Sequence, residues 1–128
     1  MSGLFENATL SLSRLFASRQ ALVKMGKSDK GKVVVELFIK ELWYKDGNAQ
    51  LKSLEAAKVL GGIGELSVPY LVKELKSEDW MVRIRSAQSL AITGTKNQSA
   101  ITALKEASKD AVPAVSDAAK KALATLGV

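Results

Sequence analysis

At 128 residues the chain is long enough to bury a core without metals or disulfides and short enough to form one domain. It holds 47% apolar and 25% charged residues but no cysteine and no histidine. Disulfides, thiolate chemistry, the commonest metal ligand and the usual proton carrier at neutral pH are therefore excluded, which argues against catalysis and against any cofactor held by such groups. The net charge of +6 raises a nucleic-acid or acidic-membrane partner. Residues 1–50 carry eight Lys/Arg against five Asp/Glu, and residues 51–128 carry eleven against eight, so the excess is spread rather than clustered and speaks only weakly for a polyanion.

No apolar run approaches the roughly 18–20 residues needed to cross a bilayer, and the N-terminus lacks the basic start and apolar block of a secretory signal. A cytoplasmic location is the default expectation. Residues 7–27 are Ser- and Leu-rich and carry Arg14, Arg19, Lys24 and Lys27 with no acid, a composition shared by organellar transit peptides. A first amphipathic helix is the favoured reading. Within it, Ala21-Leu22-Val23-Lys24-Met25-Gly26 echoes Ala56-Ala57-Lys58-Val59-Leu60-Gly61 at a spacing of 35, so residues 1–30 are expected to be an N-terminal helix or degenerate opening repeat, with Leu4, Phe5, Leu15 and Phe16 packing on one side. Ser28-Asp29-Lys30-Gly31 reads as a connecting loop.

From Val35 onward two elements recur in alternation. Ile39-Lys40-Glu41-Leu42 returns 33 residues later as Val72-Lys73-Glu74-Leu75, and 32 later again as Leu104-Lys105-Glu106-Ala107. The small-residue stretch Ala56-Ala57-Lys58-Val59-Leu60, closing on Gly64, returns as Ser86-Ala87-Gln88-Ser89-Leu90 with Gly94, and as Ala119-Lys120-Lys121-Ala122-Leu123 with Gly127. A repeat near 30–33 residues is the mark of a solenoid. The first element carries apolar residues at helical spacing, Val35, Phe38, Ile39 and Leu42 and then Val68, Leu71, Val72 and Leu75. Pro69 and Pro113 suit an opening turn. The second helices are expected at about 50–62, 81–93 and 113–126, each glycine supplying a left-handed C-terminal cap. Links as short as Lys45-Asp46-Gly47-Asn48 and Ser77-Glu78-Asp79 make consecutive helices antiparallel neighbours. Ala56, Ala57, Ala87 and Ala119 would let stacked helices approach closely. The units are drawn at 31–64, 65–96 and 97–128, stacked as one domain.

Asp79-Trp80-Met81-Val82-Arg83, Ser86-Ala87, Leu90 and Gly94, preceded by Gly61-Gly62-Ile63-Gly64 and Val68-Pro69-Tyr70-Leu71, resemble the HEAT-like repeats of phycobilisome-type lyase subunits. The resemblance covers about residues 35–128. It implies an all-α fold, a right-handed α-solenoid (an α-α superhelix) of antiparallel helix pairs with about three HEAT-like repeats plus an N-terminal helical cap. The outer units depart from the pattern: Val115-Ser116 and Lys52-Ser53 stand where the family favours Val-Arg, and the aspartate matching Asp79 is missing from the last unit. A continuous Asp–Arg ladder is not expected on that basis. The resemblance further implies a protein-binding scaffold or regulatory subunit with the second helices lining a concave face. It also embraces chromophore lyases, their chaperones, and longer nucleic-acid-binding relatives.

Asp79 and Arg83, four apart at a helix start, fit an N-terminal acid able to pair with the arginine, an architectural arrangement. Trp80 is either a packing residue of the repeat or an interface anchor; Trp43 and Tyr44 are similar. Helical phasing sets Arg85 and Gln88 away from a core of Val82, Ala87 and Leu90. Their equivalents are Glu55 and Lys58 thirty residues earlier and Ala118 and Lys121 thirty-three later. Stacked, these positions would form a stripe of mixed charge, better matched to a protein than to a phosphate backbone. Glu78-Asp79 is the one adjacent acid pair considered for catalysis, and adjacent residues do not face each other on a helix. Gly61-Gly62-Ile63-Gly64 follows a helix and lacks the Gly-Lys-Ser/Thr ending of a phosphate loop.

The resulting expectation is a non-enzymatic interaction module, without metal or cofactor, contacting a protein or peptide through Glu55, Lys58, Trp80, Arg85, Gln88 and Lys121. The alternatives are a nucleic-acid-binding solenoid and an accessory subunit of a chromophore lyase. Leu126-Gly127-Val128 ends without a polar cap, which leaves homo-oligomerisation through a solenoid end open.

Overall fold

The structure is a computed structural model and describes residues 19–41 and 49–128. The described chain is helical throughout: residues 19–26 (α1), Gly31–Glu41 (α2), Ala49–Ile63 (α3), a single 3-10 turn at Glu65–Ser67, Val68–Glu74 (α4), Trp80–Thr93 (α5), Gln98–Ala107 (α6) and Pro113–Leu126 (α7). It is the all-α stack of helix pairs that the repeat and the resemblance lead one to expect. The expectations for Leu4 to Phe16, for Trp43 and Tyr44, and for the 45–48 link lie outside the described residues.

The boundaries follow from local chemistry. Asp79 has extended backbone and its carboxylate accepts from the Met81 and Val82 N–H groups at 2.8 and 3.4 Å, so α5 starts on a side-chain cap. Asn97 caps α6 by accepting from the Ala100 N–H at 3.3 Å. Pro69 and Pro113 sit in the first turns of α4 and α7, where no backbone N–H is required. At the other ends Gly94 and Gly127 take left-handed backbone, φ 66° and 79°, and close α5 and α7. Gly64 also has positive φ, 89°, where the chain leaves α3 for the 3-10 turn. These are the three glycines that fall four residues after the repeated leucines, and a side chain at any of them would be strained.

The helices form two layers. In the second-helix layer α5 lies between α3 and α7 and makes its most extensive contacts with them; in the first-helix layer α4 lies between α2 and α6. Between the layers runs a core of Val35, Val59, Leu60, Leu71, Val82, Leu90, Leu104 and Val115, all essentially sealed from solvent. Burying each such side chain is worth about 1.5–3 kcal/mol, and the layer contacts supply most of it. Ala56, Ala57, Ala87 and Ala119 are buried as well. Gly61 brings α3 closest to α5, because a Cβ there would stand 2.5 Å from Ile92 Cβ.

α1 belongs to the second-helix layer. Arg19 reaches Glu55 on α3, Leu22 packs against the core, and Val23 lies over Gly62, where a Cβ would come within 2.7 Å of it. Further along, Gly26 leaves room for the Ile63 side chain.

Candidate functional site

Stacking decides which second-helix residues remain available. α3 turns Ser53, Ala57 and Gly61 toward α5, and α5 turns Arg85, Ser89 and Ile92 toward α3. Arg85 Nε donates to Ser53 Oγ at 3.0 Å, Ser89 Oγ donates to the Ala57 carbonyl at 2.7 Å, and Ile92 packs on Gly61. One unit earlier the opposite flank of α3 carries Glu55, whose carboxylate accepts from Arg19 Nε at 2.5 Å and from its Nη2 at 2.8 Å. Hydrogen bonding to Glu55 raises the Arg19 pKa, against a lowering by burial, and the Glu55 charge adds to the rise.

This corrects the position of the stripe. Arg85 was expected to point away from the core into solvent; it does leave the core, but sideways into the joint with α3, and is only 9% exposed. Its Nη1 also donates to Gln88 Oε1 at 2.8 Å. Burial pushes the Arg85 pKa down, yet guanidinium retains its proton at any working pH. Glu55 is likewise engaged between helices, and Ala118, the third member of that row, is buried. The next row, Lys58, Gln88 and Lys121, remains at the surface: Lys58 and Gln88 are half-buried and Lys121 is exposed.

Two large apolar side chains flank that row. Trp80, the first residue of α5, is 47% exposed, and Ile92, near its last turn, is 49% exposed. Met81, Gln88 and Ile92 stand seven and four residues apart, one stripe of the helix. Along α7 the exposed positions are Pro113, Ala114, Asp117, Lys120, Lys121, Ala124 and Thr125. The accessible band is narrow, apolar at its centre and edged with lysine.

Arg83 anchors a second inter-unit link. Its Nε donates to Asp110 Oδ2 at 2.8 Å and its Nη2 to Oδ1 at 3.2 Å, while Nη1 donates to the carbonyls of Ser77 and Glu78 at 2.8 and 3.3 Å. Asp110 Oδ1 in turn accepts from the Val112 N–H at 2.9 Å, as Asp79 accepts from Met81. Burial raises the Asp110 pKa, but the Val112 N–H and the Arg83 guanidinium outweigh it and hold the carboxyl below its ordinary value. The last unit therefore has its aspartate two residues before the matching place, and Arg83 joins neighbouring units through it. The spacing of 31 between Asp79 and Asp110 is the sequence signal for it. At the C-terminal ends of the second helices Thr95 Oγ1 donates to Glu65 at 2.6 Å, and Lys96 Nζ donates to the Leu126 carbonyl. Ser53, Ser89, Thr95 and Asp110 were not singled out by sequence reasoning, since short polar residues inside a helical pattern, as Ser53 and Ser89 are, or in a link, as Thr95 and Asp110 are, read as solvated.

The described residues bring together no group of three or more His, Cys, Asp or Glu able to hold a metal ion. A groove of about 410 Å³ in the first-helix layer is lined by Val72 of α4, by Lys76 just beyond it, and by Gln98, Ser99, Thr102, Ala103 and Glu106 of α6.

The family model describing HEAT repeats matches residues 35–124. The chain belongs to the HEAT-repeat family. HEAT repeats commonly mediate protein interaction or scaffolding, and the family is generally non-catalytic. Among curated proteins and among solved structures none matches this chain. No described helix is long and apolar enough to cross a membrane.

Proposed function

We propose that this HEAT-repeat protein is a non-enzymatic interaction module that holds a protein or peptide against the second-helix band. The observation that carries the reading is the division of that layer into a locked row and an accessible one. Glu55 and Arg85 are occupied in joining helices, while Lys58, Gln88, Lys121, Trp80 and Ile92 remain at the surface. Equivalent positions on neighbouring helices stand about 10 Å apart, so an extended segment or an amphipathic helix laid across α3, α5 and α7 meets the band at each step. Exposed Trp and Ile supply apolar anchors, and the lysines favour an acidic rim on the partner. Trp80 acts here as an anchor, Gln88 as a hydrogen-bonding group already oriented by Arg85.

The test is the double change Lys58→Glu with Lys121→Glu. Partners recovered with the wild-type protein are identified by mass spectrometry, purified, and titrated against both forms. The expected result is at least a tenfold loss of affinity with an unchanged thermal midpoint. Equal affinity for both forms removes the band as the binding surface. The same proteins distinguish the nucleic-acid alternative: retention on duplex DNA that falls steeply as salt rises, through counterion release, would replace the protein-partner reading.

A further inference from the structure

Among the described residues the first-helix layer ends at α2 on its N-terminal side. Across the repeat, the start of each unit turns two positions, four residues apart, toward the first helix of the unit before; in the second unit the earlier of the two lies in the 3-10 turn that leads into α4. In the second unit these are Leu66 and Tyr70: Leu66 lies so close to Gly31 that a Cβ there would come within 2.6 Å of Leu66 Cδ2, and the Tyr70 hydroxyl donates to Glu36 at 3.5 Å. In the third unit, 32 residues on, they are Gln98 and Thr102, exposed polar residues that line the groove together with Val72 of α4 and Lys76 just beyond it. The equivalents in the first unit, 33 residues before Leu66 and Tyr70, are Val33 and Leu37. Both are apolar, both lie on one face of α2, and they are 60% and 56% exposed, the highest values among the large hydrophobic residues of the described chain.

What precedes them in the chain indicates what covers them. α1 stacks on α3 in the second-helix layer, and in this fold a second helix is entered from a first helix. The residues upstream of α1, which lie outside the described ones, carry Phe5, Leu12, Leu15 and Phe16. Phe5, Leu12 and Phe16 are seven and four apart, one helical stripe. We infer that this face of α2 is a docking surface for the chain's own residues 4–16, the first-layer partner of α1 in an opening unit. A thirteen-residue segment is long enough, at about 1.5 Å per residue, to run alongside the eleven residues of α2. A hairpin of two described layers with an apolar flank left bare is not a stable end for a solenoid, because each unit buries its apolar face only against a neighbour.

The absence of cysteine makes a single-thiol reporter possible. Leu37→Cys reports on the docking face, and Lys40→Cys, exposed on the same helix, is the control. Under native conditions maleimide is expected to modify Leu37→Cys about tenfold more slowly than Lys40→Cys, because modification requires the segment to lift away. Adding Leu12→Asp and Phe16→Asp should bring the Leu37→Cys rate up to that of the control at every protein concentration. If circular dichroism shows that the aspartate pair unfolds the chain, Leu12→Ala with Phe16→Ala is used and the same acceleration is expected. Equal rates for the two thiols in the otherwise unaltered chain overturn the inference. So does slow modification that is relieved by dilution rather than by changes at residues 12 and 16, which assigns the face to a second copy. Slow modification that responds to neither overturns it as well.

Discussion

Gly61 offers a direct test of how closely the second helices stack. In an ordinary helix interior, glycine to alanine stabilises by roughly 0.5–1 kcal/mol. At Gly61 the added Cβ would stand 2.5 Å from Ile92 Cβ, 2.6 Å from its Cγ2 and 3.0 Å from the Ser89 carbonyl oxygen, whereas ordinary contact begins at 3.4 Å. The shortfall at Ile92 Cβ is 3.4 − 2.5 = 0.9 Å, and no rotamer relieves it, because Cβ is fixed to the backbone. α3 and α5 must separate, and overpacking of this kind costs about 1–3 kcal/mol. Setting that against the propensity gain leaves Gly61→Ala destabilising by roughly 1–2 kcal/mol. For a chain of this size that is a fall of about 4–8 °C in midpoint. In an Ile92→Gly background both Ile92 contacts vanish and only the Ser89 oxygen, a few tenths of an ångström too near, remains. There the same substitution should be neutral or stabilising. Thermal melts of the four proteins, followed by circular dichroism, complete the cycle. A raised midpoint for Gly61→Ala alone, or the same shift in both backgrounds, would refute the close approach.

Two further outcomes follow from the locked residues. Arg85→Ala removes a buried charge from Ser53 and Gln88 and should cost about 2 kcal/mol in denaturant melts, whereas Lys121→Ala, at an exposed position, should cost within about 0.5 kcal/mol; equal costs would mean that Arg85 is solvated after all. Asp110→Asn should lower stability at pH 7 by about 1 kcal/mol through the weakened Arg83 link. Because the folded Asp110 pKa is depressed, this stabilisation is present above the unfolded value of about 3.9 and is lost as pH falls through the folded value. Denaturant midpoints of wild type and Asp110→Asn should therefore converge between pH 5 and the acid limit of folding, and a gap that stays constant down to that limit would contradict the linkage.

The fold was legible because its determinants are local and repeated. Pro69 and Pro113 mark helix starts, Gly64, Gly94 and Gly127 mark helix ends, and the alanines mark the close contacts; each imposes its conformation whatever surrounds it. The second helices, expected at about 50–62, 81–93 and 113–126, are found at 49–63, 80–93 and 113–126. The link between Arg83 and Asp110 was not legible, because the pattern was aligned on Val82 and Val115 and placed the missing aspartate at position 112. Aspartate can bind the helix N-terminus from one residue before it, as Asp79 does, or from farther upstream, as Asp110 does. A fixed register finds only the first.

Part of the expected stripe lies inside the joints for a different physical reason. Phasing one helix against a core divides its circumference into a buried and an exposed half. A second helix in a solenoid has three neighbours: its own first helix and a second helix on each side. Two lateral flanks close as well, and on α5 they take Arg85, Ser89 and Ile92 on one side and Arg83 on the other. A charged residue on such a flank is compatible with burial only when its neighbour supplies partners. Arg85 with Ser53, and Glu55 with Arg19, meet that condition with residues 32 and 36 positions away. The charge at equivalent positions changes from Glu55 to Arg85 to uncharged Ala118. Each side chain answers to the helix before it rather than to a shared ligand. Lys58 and Lys121 lie beyond those flanks, whereas Gln88, which accepts from Arg85, and Ile92, which packs on Gly61, reach from the joint to the surface. Lys58 and Lys121 can therefore be changed without touching the joints that Arg85 and Glu55 make.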